Sequence, residues 1–107
     1  MIPRVYGSPE GRPLFYFHGV PGAAVEAAML HQAALAQGIK LLVVARHLPQ
    51  ELDSEDYLQQ LAQQVTQHAA GQPIHLLGFS IGACLALRVA ARLGEQVAAV
   101  HLLSAAA

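Results

Sequence analysis

The sequence predicts an α/β fold, a mostly parallel sheet with helices on both faces, formed by residues 1–107 as a single domain. Three observations predict it. Short apolar runs alternate with longer segments of helical periodicity, in the order βαβαβαβ. The run Leu41-Leu42-Val43-Val44 is unbroken and apolar, which suits a parallel strand covered on both faces. Each helical segment stops at a glycine (Gly38, Gly71 or Gly94) shortly before the next apolar run, so the connections are as short as right-handed crossovers need.

The elements follow in order. Residues 1–13 carry Pro3, Gly7, Pro9, Gly11 and Pro13 and read as a turn-rich lead-in with one short strand near 4–6. The first main strand is 14–17. The first helix spans 24–37, with Val25, Ala28, Met29 and Leu35 as its apolar positions. The second strand is 39–45, and a polar loop, 46–53, follows. The second helix begins near Ser54: Asp53 or Ser54 can cap it, and Glu55 and Asp56 place negative charge at its positive end. Leu58, Leu61, Ala62, Val65 and Ala69 form one stripe of this helix, while Gln59, Gln60, Gln63, Gln64 and Gln67 line its other side. The third strand is 73–77. The third helix, 81–93, is apolar almost all round and is expected to be buried. The last strand is 97–103. There is no repeat, linker or low-complexity segment.

Composition narrows the function. Hydrophobic residues make up 54% of the chain and charged residues 12%, which is the composition of a packed domain and not of a disordered one. The formal charge is −1 and the six Lys and Arg are scattered, so no basic patch favours nucleic acid or an anionic membrane as a partner. Cys84 is the single cysteine, which excludes a disulfide framework and zinc-type cysteine spacing; it reads as a small buried residue. No histidine pair has helical metal-ligand spacing beside a carboxylate, so neither a metal nor a cofactor is expected. The first residues lack the apolar core of a signal peptide, and no run approaches the ~20 residues of a membrane helix. The expected compartment is the cytoplasm.

Two segments carry chemistry. In Gly78-Phe79-Ser80-Ile81-Gly82 an apolar run leads in and a helical run leads out, so a serine stands at the apex of a strand–turn–helix. Gly78 and Gly82 keep the crowded turn free of Cβ atoms. The second segment is His18-Gly19-Val20-Pro21-Gly22, directly after the strand Leu14-Phe15-Tyr16-Phe17. Each also admits a plain reading, a turn used only for packing. Together they resemble the front part of the α/β-hydrolase family, over about residues 6–107. The resemblance implies a strand order in which 14–17 lies between 39–45 and 73–77, with 97–103 outside the last. Both segments then meet at the carboxyl ends of the strands, beside the point where the winding reverses. It further implies that Ser80 is a nucleophile toward a small-molecule ester, thioester or amide. The backbone N–H groups of Val20 and Ile81 would hold the oxyanion, and His18, Gly19, Pro21, Gly22, Gly78 and Gly82 would shape the motifs. Nucleotide binding is disfavoured, because neither G-x-G-x-x-G nor a P-loop pattern occurs.

The remaining groups fit such a site less well. The family's triad runs in chain order serine, acid, histidine. After Ser80 the only acid is Glu95, placed at the wrong end of the sheet, and the only histidine is His101, in mid-strand. The triad acid and histidine, the lid and the later strands are therefore expected to be missing, and the chain alone to turn over slowly if at all. The loop from Arg46 lacks the D-x-x-G-x-G pattern common in the family. His75 reads as packed within its strand, like His101. His31, His47 and His68 read as solvated. The alternative reading is a non-catalytic fragment or interaction module. In either case strand 97–103 would be an apolar edge, open to a second copy or to a missing C-terminal segment.

Overall fold

A computed structural model describes residues 3–19, 23–45 and 54–103. Five strands, β1 (Arg4–Gly7), β2 (Arg12–Phe17), β3 (Ile39–Val43), β4 (Ile74–Phe79) and β5 (Val97–Leu103), form one sheet in the order β1-β3-β2-β4-β5. The four from β2 onward run parallel, in the expected order. The short N-terminal strand is β1, and it pairs antiparallel with β3, Arg4 opposite Val43. Helices α1 (Ala23–Ala36), α2 (Ser54–Ala69) and α3 (Ile81–Leu93) make the crossovers, and a 3-10 turn, Gly94–Gln96, leads into β5.

Element ends move by a residue or two from the sequence reading, and pairing explains the moves. β2 starts at Arg12 because Arg12 and Pro13 register with Ile39 and Lys40. β4 runs on to Phe79 because Gly78 and Phe79 register with Leu102 and Leu103. Arg46, His47 and Asp53, with the rest of the polar loop, lie outside the described residues.

The sheet separates two cores. Phe15, Phe17, Leu42, Val44, Leu61, Val65, Leu76 and Val89 pack under α2 and α3. Tyr16, Ala34, Leu41, Val43 and Leu77 pack under α1. Consecutive residues of β2 and β3 thus enter opposite cores, which is why both strands read as unbroken apolar runs. No helix among the described residues is long and apolar enough to cross a membrane.

Several side chains lie otherwise than expected. Met29 is 75% exposed and Leu35 is also exposed, while Leu30 and Ala34 turn inward. The side chains of Val25 and Ala28 lie outside the described residues. Apolar residues surround α1, so no polar face orients it, and only the sheet decides what is buried. α3 is not buried all round: Gly82, Ala83, Ala86, Val89 and Leu93 face the core, whereas Ile81 and Leu87 are exposed. Cys84 is on that outer side and is exposed, not buried. His31 is not merely solvated; its Nδ1 accepts the Gly7 N–H at 2.8 Å and its ring meets Tyr6 edge-on. His68 is half-buried, its Nδ1 donating to the Gln64 carbonyl at 2.9 Å.

The largest correction is Gln64, expected on the wet side of α2 and in fact 3% exposed. Its Oε1 accepts the Ala45 N–H at 2.8 Å and its Nε2 donates to the Ala45 carbonyl at 3.0 Å. The amide therefore completes the backbone pairing just past the end of β3. Gln64→Ala removes both bonds and leaves two part-buried backbone groups to find water. It is expected to cost about 2 kcal/mol, measured by urea unfolding. A loss near zero would mean that Ala45 is satisfied without it. By contrast, the Arg92–Glu55 ion pair that joins α3 to α2 is exposed on the Glu55 side and contributes little.

Candidate active site

β4 ends at Phe79 and α3 begins at Ile81, so a single residue, Ser80, makes the whole turn. Its backbone sits at φ 57°, ψ −123°. Among the described residues only Ser80 and Ala70 adopt positive φ without being glycine. Such a conformation costs on the order of 1–3 kcal/mol and persists only where the surroundings enforce it. Here the enforcing bonds are visible. The Ser80 N–H donates to the Leu103 carbonyl at 3.1 Å, extending the β4–β5 ladder by one step. The Ala83 N–H donates to the Ser80 carbonyl at 3.0 Å, closing the first turn of α3. The Ser80 side chain makes no capping bond to the helix, which leaves its hydroxyl uncommitted to that role.

Close approach explains the glycines on either side. A Cβ on Gly78 would lie 2.5 Å from Ala83 Cα. A Cβ on Gly82 would overlap the Phe17 carbonyl oxygen and come within 2.6 Å of the His18 carbonyl oxygen. α3 therefore starts pressed against the end of β2. From the other direction, a Cβ on Gly19 would meet Phe79 at 3.2 Å and Ser80 Cβ at 3.4 Å. The two motifs, far apart in sequence, thus share one place at the carboxyl ends of β2 and β4. Val20, Pro21 and Gly22 lie outside the described residues. Ile81 is the first residue of α3, and its N–H is among those that a helix start leaves without an intrahelical partner. The positive end of the helix dipole adds to the pull on an anion there.

Of the histidines and acids, His101 and Glu95 lie away from this turn. His18 Nδ1 lies 2.7 Å from the Gly19 carbonyl oxygen; an oxygen only accepts, so Nδ1 carries the proton and the ring braces its own turn. His101 registers with Leu77, three residues before Ser80, or about 10 Å along the strand. Its ring stacks on His75, with centroids 6.2 Å apart. Glu95 belongs to the 3-10 turn before β5, at the amino end of the sheet. A cavity of about 390 Å³ lined by Thr66, Pro73, Ile74 and Glu95 lies at that same end, remote from Ser80. Among the described residues no group of three or more His, Cys, Asp or Glu could hold a metal ion. Among the described residues, the Leu103 carbonyl is a contributor that reading the sequence missed. It acts through its backbone, so no side-chain signal could have revealed it.

A family model described as "Thioesterase domain" matches residues 12–107. No curated protein matches the sequence. Several solved structures are similar. An α/β hydrolase from the metagenome of lagoon sediments of Mar Chica, Morocco, shares 21% identity at a TM-score of 0.79, over 96% of this chain and 48% of that one. The thioesterase domain from the curacin biosynthetic pathway shares 24% identity at a TM-score of 0.75, over 94% and 40%. A monoacylglycerol lipase from Paleococcus ferrophilus shares 17% identity at a TM-score of 0.72, over 96% and 42%. The chain spans less than half the length of each.

Proposed function

This chain belongs to the thioesterase-domain family, within the α/β hydrolases, and on that footing we propose that it carries the nucleophile of an acyl hydrolase. The bond cleaved is a thioester, with oxygen esters and amides as chemically related substrates. The observation that carries this reading is the strained backbone of Ser80, a non-glycine residue held at φ 57° between a strand and a helix.

In the proposed reaction the Ser80 Oγ attacks the acyl carbonyl carbon and gives up its proton to a base. The carbonyl π electrons move to oxygen, and that oxyanion takes hydrogen bonds from the N–H groups of Ile81 and Val20. Collapse of the adduct expels the thiolate or alkoxide and leaves the acyl group on Ser80, from which water removes it. His18, Gly19, Pro21 and Gly22 shape the Val20 side of the oxyanion site; Gly78 and Gly82 shape the Ser80 side. The base and its acid are supplied by groups other than His101 and Glu95, which lie too far down the sheet. Residues 1–107 alone would then turn over an activated acyl group slowly, on oxyanion binding and positioning alone.

The test is covalent labelling with a fluorophosphonate, read by intact mass and peptide mapping. One adduct on Ser80, absent in Ser80→Ala, is the expected result. A second reading, an interaction module without chemistry, is favoured by β5, whose outer side no strand among the described residues pairs with. A folded chain that takes up no label would select it.

A further inference from the structure

Gly19 is short of space, not of backbone freedom. It is buried, and it is not among the glycines with positive φ, so its backbone does not call for glycine. A Cβ there would lie 3.2 Å from Phe79 Cδ2, 3.2 Å from the Phe79 carbonyl oxygen and 3.4 Å from Ser80 Cβ. Two of these neighbours belong to the strand end and the serine. The third is the edge of an aromatic ring. Alternation along β4 decides where that ring stands. Leu76 joins the core under α2 and α3, and a Cβ on Gly78 would meet Ala83 of α3. Leu77 and Phe79 join the core under α1 instead. β2 ends at Phe17 and α1 begins at Ala23, so the chain that carries Gly19 leads to the helix on that same face. The half-buried Phe79 ring therefore stands against the turn on its way to α1.

We infer that Phe79 is a positioning residue, whose ring props the His18–Gly19 turn at a fixed distance from Ser80. This role rests on the acyl-hydrolase reading. Two N–H donors share one oxyanion only if each lies about 2.7–3.1 Å from it, so the gap between the turn and the start of α3 must be held closely. On the α3 side backbone bonds hold it, from Ser80 to Leu103 and from Ala83 to Ser80. On the turn side, His18 Nδ1 bonds the Gly19 carbonyl, which stiffens the turn without setting its distance from β4. The Phe79 ring sets that distance. A shorter side chain lets the turn sink toward β4, and a methyl group on residue 19 pushes it away. Either change displaces the donor that follows Gly19 and leaves the nucleophile in place.

The test is the rate of fluorophosphonate labelling at Ser80 in the 107-residue chain, measured against probe concentration, with NMR on the same proteins. Phe79→Leu should lower the rate constant at saturating probe by about tenfold or more and leave probe binding nearly unchanged. Phe79→Met reads the same point if Phe79→Leu does not fold. Phe79→Tyr keeps the ring edge and should label within about threefold of the wild type. Gly19→Ala should slow labelling as Phe79→Leu does. In the wild type and Phe79→Tyr the Gly19 α-protons should show a ring-current shift that Phe79→Leu lacks. The Ser80 three-bond HN–Hα coupling, which reports φ, should be the same in all of them. Labelling of Phe79→Leu at the wild-type rate would overturn the role. So would slow labelling accompanied by a changed Ser80 coupling, because Phe79 would then act by packing the Ser80 turn itself. A wild type that takes up no label overturns the acyl-hydrolase reading and this role with it, whereas a labelled wild type with an equally fast Phe79→Leu overturns this role alone.

Discussion

Gly82→Ala is expected to lower stability by at least about 3 kcal/mol, the upper part of the range for adding one methyl where no space exists. The three atoms nearest the added Cβ are all backbone: the carbonyl oxygens of Phe17 and His18 and the carbonyl carbon of Phe17. A long side chain in the way could swing aside, but this obstacle cannot. β2 is paired on both sides, with β3 through residues 12–16 and with β4 through residues 15–17, so its end is held in the middle of the sheet. The helix must move instead, and its first turn is tied to Ser80 by the Ala83 N–H. For a domain of ordinary stability, about 5–15 kcal/mol, the loss is a large share of the total. Urea unfolding should show the midpoint falling by about 3 M or more if m is near 1 kcal/mol/M. Gly71→Ala is the control. That glycine has φ 79°, but a methyl group there would meet nothing within 4 Å, so only its backbone preference is lost, about 1 kcal/mol. Equal losses at the two sites would show that α3 does not press on β2.

How much of this was readable beforehand depends on what set each feature. The crossover helices ended where glycines fell, and Gly38, Gly71 and Gly94 all take positive φ, so local backbone preference and fold agree there. Strand order was readable only through resemblance, since periodicity says nothing about which strands are neighbours. Burial on the helices was readable in α2, where glutamines oppose leucines, and unreadable in α1 and α3, where apolar residues occur on every side. Met29, Leu87 and Cys84 were misplaced or left open for that reason. Gln64 was different, because a signal existed. It lies one turn from both Leu61 and His68 and beside Val65, inside the buried stripe, so its polarity called for a partner in the core. At the candidate site, the serine and its two glycines were readable because steric needs restrict those positions to few residue types. The base and acid were not readable because the two candidates after Ser80 in the sequence, His101 and Glu95, lie farther down the sheet.

The strain at Ser80 yields the sharpest test of whether the turn exists for the hydroxyl. Ser80→Ala should abolish fluorophosphonate labelling and leave stability within about 0.5 kcal/mol, because alanine inherits the same backbone conflict and the side chain made no capping bond. Ser80→Gly should abolish labelling equally and make the protein more stable than Ser80→Ala by about 1 kcal/mol. Two opposing quantities set that difference. Glycine relieves a conformational cost on the order of 1–3 kcal/mol, and it loses about 0.5–1 kcal/mol through the greater freedom of its unfolded chain. The relief is the larger, so glycine wins on stability at a position where this sequence carries serine. A residue that costs stability where glycine would remove the cost needs another reason to be there, and the only group that serine adds is its hydroxyl. Thermal unfolding of the three proteins decides the point. If Ser80→Gly is no more stable than Ser80→Ala, the turn stores no strain, and the geometric argument for Ser80 as a nucleophile loses its support.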